Sequence, residues 1–92
     1  MRLSNDGLEI ETENVSCKFP ANFIIVNWNC EAVGKYDNAT DDEYFEFEDI
    51  EMKCFYYDSE NELIPFTPTD GQSAWILPVI ETDAENQLEK QL

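Results

Sequence analysis

Tyr44-Phe-Glu-Phe-Glu-Asp-Ile-Glu-Met-Lys-Cys-Phe-Tyr-Tyr57 decides how this chain folds. Phe45 and Phe47 alternate with Glu46 and Glu48, the period of a half-buried strand. The phase then slips. Ile50, Met52 and Cys54 form the next apolar set, with Glu51 and Lys53 opposite. One extra residue at Asp49, a β-bulge, accounts for the change from odd to even. With it, Glu46, Glu48 and Glu51 form one outward row, with Asp49 at the bulge. Asp58 to Glu62 reads as a turn, so Leu63 to Phe66 returns as the second half of a hairpin.

On the N-terminal side, Asn22 to Val33 is the most hydrophobic segment. Ile24, Val26, Trp28, Cys30 and Ala32 share one face. Phe23 and Ile25 share the other, followed by Asn27, Asn29 and Glu31. One end of this strand is therefore expected to be covered on both faces. Leu8, Ile10 and Thr12 alternate with Glu9, Glu11 and Glu13, and Val15, Cys17 and Phe19 continue the pattern to Pro20. Gly34 to Asp42, rich in Gly, Asn and Asp, reads as a loop.

Thr67 to Gly71 is a further turn. Ser73 to Ile80 reads as a strand that Pro78 places at an edge or ends early. Thr82 with Glu85 forms a capping box. Ala84, Leu88 and Leu92 recur every four residues, which predicts a helix over Asp83 to Gln91 that must dock to persist. The sum is an α+β fold in a single domain over residues 1–92. It is a curved antiparallel sheet of four to six strands with a short C-terminal helix, one face aromatic and the other acidic. An all-β fold is the alternative.

The charge is extreme. There are 21 Asp and Glu against five Lys and Arg, no histidine, and a formal net charge of -16. Such an excess is common in disordered chains. Here 42% of residues are hydrophobic and 13% aromatic, which is enough to bury a core, so the acids are expected at fixed positions on a folded surface. Cys17, Cys30 and Cys54 are odd in number and lack CxxC spacing, so they read as buried reduced thiols of a cytoplasmic protein. The N-terminus has no apolar run of a signal peptide, and no stretch is long enough to span a bilayer.

Without histidine, Cys–His and Ser–His–Asp sites cannot be built within the chain. No glycine-rich phosphate loop is present. The expectation is a protein that is not an enzyme, with no catalytic residue, no cofactor and no bound metal. The acidic loop of Asp37, Asp41, Asp42 and Glu43 lacks the spacing and central glycine of an EF-hand and reads as a solvated loop.

What remains is the acid itself. Glu9, Glu11 and Glu13 form one row, and Glu46, Glu48 and Glu51 a second. Asp41, Asp42, Glu43, Asp58, Glu60 and Glu62 extend the negative surface at the ends. Alternate residues of a strand lie roughly 6.5–7 Å apart. Duplex DNA carries a phosphate per roughly 3.4 Å of axis on each strand, and winding makes the through-space spacing larger. An outward carboxylate row on a twisted strand therefore approximates a phosphate row in sign and spacing. The competing reading is a face that only keeps the protein soluble.

In size, in acidity and in Asp41-Asp-Glu-Tyr-Phe-Glu-Phe-Glu-Asp49, the chain resembles the small acidic DNA-mimic inhibitors encoded by phages, the Arn-type anti-restriction proteins among them. The resemblance is one of character across the chain, without an aligned motif. It implies an inhibitor in the host cytoplasm that occupies the DNA groove of a restriction nuclease or a histone-like nucleoid-associated protein. It implies no contact with nucleic acid or membrane.

Two other classes compete. One is an acidic immunity or antitoxin-like protein that neutralises a basic toxin through a few anchors such as Tyr56, Tyr57 and Trp75. The other is a structural component of an assembly. A homodimer would double the length of the rows, through Trp75, Ile76 and Leu77 or through Phe23 and Ile25. The alternative is that these side chains pack under the helix.

Overall fold

The computed structural model describes residues 1–15 and 17–91. Four strands, β1 (Arg2–Glu11), β2 (Phe23–Asp37), β3 (Asp42–Tyr57) and β4 (Leu63–Phe66), precede one helix, α1 (Asp70–Gln91). The strands form an antiparallel meander in the order β1-β2-β3-β4. The α+β fold, a four-stranded sheet with one C-terminal helix, is as the alternation predicts.

The predicted core face of β2 is the observed one. Ile24, Val26, Trp28, Cys30 and Ala32 are all buried, with Leu3 and Ile10 of β1 and Cys54 of β3 beside them. Across from them, α1 contributes Ile76, Ile80, Ala84 and Leu88.

The C-terminal segment corrects the sequence reading. Ser73 to Ile80 is not a strand but the first half of a single 22-residue helix. Gln72, Ile76, Ile80, Ala84 and Leu88 are buried, and Trp75, Val79, Asp83 and Gln87 lie half-buried one residue back. These are two adjacent i+4 ridges, the surface that packs a helix onto its neighbour. Pro78 is exposed, so the Ala74 carbonyl that loses its helical donor lies on the exposed side, where water can serve it. The Thr82 hydroxyl donates to the Pro78 carbonyl at 3.0 Å and does not start a helix. The capping box belongs to Thr69 and Gln72: the Gln72 amide donates to Thr69 Oγ1 at 3.2 Å, and the Thr69 amide to Gln72 Oε1 at 2.9 Å.

Two further boundaries differ. β1 begins at Arg2 and ends at Glu11, so Val15, Cys17 and Phe19 lie in the connection to β2 and do not prolong the strand. Gly34 to Asp37 extend β2, leaving a loop of Asn38 to Asp41 before β3. Beyond Ala32 and Phe47, β2 and β3 continue as a two-stranded arm over residues 33–46, with no flanking strand among the described residues. The molecule is accordingly long, 52 × 25 × 19 Å. Its radius of gyration is 15.2 Å, against about 12 Å for a compact chain of this length.

Candidate functional site

Side chains on one face of a sheet are fixed by register, because a slip of one residue reverses every one of them. The bulge expected at Asp49 is present. Asn29 pairs with Glu51 and Glu31 with Glu48, so Asp49 and Ile50 together face Cys30. Asp49 takes a left-handed φ of 52°. Met52 and Phe47 share the core side of β3, opposite Trp28 and Ala32, and Ile50 points the same way. Glu46, Glu48 and Glu51 therefore share the outer face, which the helix does not cover. A second bulge sits in β1, where Asp6 and Gly7 together face Asn27. Gly7 has φ 97°, and its amide donates to Asn27 Oδ1 at 2.8 Å.

Register sorts the remaining predicted residues. Glu9 and Glu11 point outward opposite Ile25 and Phe23, whereas Glu13 lies in a turn past the end of β1 and does not join their row. Asp42 lies on the outer face and Glu43 on the other, opposite Tyr36. Asp41 is at the tip of the arm with φ 56°, and its carboxylate accepts from the Tyr36 hydroxyl. The two predicted rows do not merge. Glu9 pairs with Ile25, and Glu51, the near end of the second row, with Asn29, so four residues of β2, about 13 Å, separate them. Asn27 and Lys53 fill the interval.

Asp58, Glu60 and Glu62 gather at the β3–β4 turn, with carboxylate oxygens within 4.8 Å of one another. Asp58 Oδ1 already accepts the Glu60 and Glu62 amides at 2.9 Å, which is how the turn is held. Among the described residues, the loop from Asp37 to Glu43 brings no comparable trio together.

The acid surface is partly compensated. Glu31, not counted in either predicted row, takes the N-terminal amine at 3.0 Å and the Arg2 guanidinium at 3.8 Å. Lys35 approaches Glu46 at 4.0 Å. All three contacts are exposed and worth little. A further acidic line escaped the sequence reading. Glu81, Glu85 and Glu89 are exposed on α1, one every four residues, about 6 Å of helix rise apart. The four-residue spacing is the signal, but it carries meaning only on a helix that begins before Thr82.

The outer face also carries an apolar end. In one cross-strand row Glu9 is followed by Ile25, Phe55 and Pro65. Next to it, all toward the same end of the sheet, lie Glu11 with Phe23 and Tyr57 with Leu63. Phe23, Tyr57 and Leu63 are 58%, 54% and 46% exposed, so the expectation that this end of β2 is covered on both faces is wrong. Of the proposed anchors, Tyr56 packs edge-on against Phe66, with ring centroids 5.8 Å apart, and Trp75 against Phe19 at 5.4 Å; only Tyr57 is free. Of Trp75, Ile76 and Leu77, Ile76 is fully buried and Trp75 packs on Phe19, and all three lie on α1 and not on a sheet edge.

Two of the three thiols, Cys30 and Cys54, belong to the core. Cys30 and Cys54 are buried and Cys17 is half-buried, all unpaired. Burial pushes the Cys30 and Cys54 thiols up, and for Cys30 this outweighs the pull of the Arg2 guanidinium. Such thiols are held protonated and are poor nucleophiles. Among the described residues, no helix is long and apolar enough to cross a membrane.

No protein-family model matches the chain, and it matches neither a characterised protein nor a solved structure.

Proposed function

We propose that this protein is a non-enzymatic inhibitor that offers its acidic outer face to the DNA-binding site of a basic protein. The target class is a restriction nuclease or a nucleoid-associated protein, met in the cytoplasm where such proteins work. One observation carries this reading: Glu46, Glu48 and Glu51 point the same way on one strand, kept in phase by the bulge at Asp49, with Glu31 directly across from Glu48. Neighbouring carboxylates facing one another cost stability. A chain of -16 net charge that keeps them there is better explained by a cationic partner than by solubility alone. Lys and Arg side chains set to grip phosphates would grip this row.

The test is competition. Duplex DNA bound to the target should be released as this protein is added, and the effect should weaken as salt rises. Simultaneous binding of DNA and this protein to one target would refute the mimic.

A second reading, an immunity-type protein that blocks a basic toxin, gains support from the exposed Phe23, Tyr57 and Leu63. Glu46→Lys with Glu48→Lys should impair a DNA mimic most. Phe23→Ala with Tyr57→Ala should impair an immunity protein most.

A further inference from the structure

The apolar end and the acids belong to the same uncovered face. Ile25, Phe55 and Pro65 are consecutive partners across β2, β3 and β4, and Glu9 closes that row at the β1 edge. Glu11 stands beside Phe23 in the same way, and Lys53 lies two residues from Phe55 toward the acidic half. Phe23, Tyr57 and Leu63 together leave roughly 300 Å² of apolar side chain open, the size of patch that often has a function.

A second copy of the chain is a poor occupant. A stable dimer buries about 800 Å² on each partner, more than twice what this patch offers. Two chains of net charge -16 would also repel one another.

Resting on the reading of the outer face as an acidic docking surface, we infer that the apolar end is its anchoring half. It seats an apolar side chain of the partner that is flanked by Lys or Arg. The apolar side chain would lie over Ile25 and Phe55. The flanking cations would reach Glu9 and Glu11 on one side and Glu51, across Lys53, on the other. Phe23 and Tyr57 are exposed aromatic side chains, on which an arginine can also stack. The partner is thus a protein segment with an apolar residue inside a basic run, rather than a uniformly cationic surface.

The probes are two synthetic twelve-residue peptides of equal charge, each with six lysines. One has Trp-Leu at its centre and the other Gly-Ser. Affinity for the intact protein is measured by calorimetry at 150 mM salt, with amide chemical shifts locating the contact. The Trp-Leu peptide should bind about tenfold more tightly, with shifts at Phe23, Ile25, Phe55 and Tyr57. Phe23→Ser with Tyr57→Ser should erase that advantage and leave the Gly-Ser peptide unaffected. Both side chains are more than half exposed, so these changes spare the core, and a thermal melt verifies it. Equal affinity of the two peptides overturns the inference, as does an advantage that survives the double substitution. If in addition Glu46→Lys with Glu48→Lys leaves both peptides unaffected, the acidic docking surface itself is wrong. If that variant still weakens both, only the anchor is lost.

Discussion

Deleting Asp49 should leave this protein folded, although it removes a residue from the middle of a central strand. Asp49 and Ile50 share one partner, Cys30. Without Asp49, Ile50 alone faces Cys30, Glu48 still faces Glu31, and every side chain keeps its side of the sheet. The deletion removes a left-handed non-glycine residue, φ 52°, which costs about 1 kcal/mol. The expected change is between neutral and a gain of about 1 kcal/mol, or up to roughly 8 °C in Tm for a domain of this size. Deleting Lys53 is the control. The bulge heals there too, but Glu51 then faces Trp28 and Asp49 faces Cys30, both on the buried side. Burying two unpaired carboxylates costs several kcal/mol each, comparable with the whole stability of a small domain. Urea melts followed by tryptophan fluorescence and near-ultraviolet circular dichroism distinguish the outcomes. Loss of the native signal on deleting Asp49, or its survival on deleting Lys53, would refute the register.

Asp83 Oδ2 accepts from Trp28 Nε1 at 3.0 Å and from Asn5 Nδ2 at 2.8 Å. Asp83→Ala should cost about 2–3 kcal/mol in urea melts by leaving the indole N–H without an acceptor, and Asp83→Asn distinctly less. Pro78→Ala should raise stability by about 1–3 kcal/mol in the same melts if residue 78 is inside a helix, and should lower or not change it if the segment is extended. In native buffer a thiol reagent should label Cys17 first. Cys30 and Cys54 should react only as the chain unfolds, which mass spectrometry of timed samples will show.

Strand β2 was legible because one of its faces is buried from Ile24 to Ala32 and the other is not. In β3 only Cys54 is buried and Phe45 is exposed, but apolar and acidic residues still alternate, and the phase slip at Asp49 marked the bulge. The first half of α1 was not legible. Trp75, Ile76, Leu77, Val79 and Ile80 form an almost continuous apolar run because two adjacent ridges of the helix are covered, and Pro78 argues locally against a helix. The first buried position is a glutamine, Gln72, whose Nε2 donates to the Lys18 carbonyl at 2.6 Å, so the stripe begins with a polar residue. Gly34 to Asp37 looked like loop by composition, yet pairing with residues 42–45 overrides it. The acid rows were readable one strand at a time. Their separation, and the line of Ile25, Phe55 and Pro65, exist only once four strands are in register.

The arm has a consequence for handling the protein. β4 pairs only with the last four residues of β3, so among the described residues no other strand pairs with the edge of β3 over residues 42–53. An open edge of that length invites the ribbon of another molecule to add to it, and charged side chains are what discourage it. Glu43, Glu46, Glu48 and Glu51 thus guard the chain against itself with the same charges that would attract a cationic partner. Neutral replacements such as Glu46→Gln and Glu48→Gln would disarm both roles at once. A loss of binding in them would be confounded by aggregation, whereas lysine keeps the edge charged while reversing the sign a partner sees.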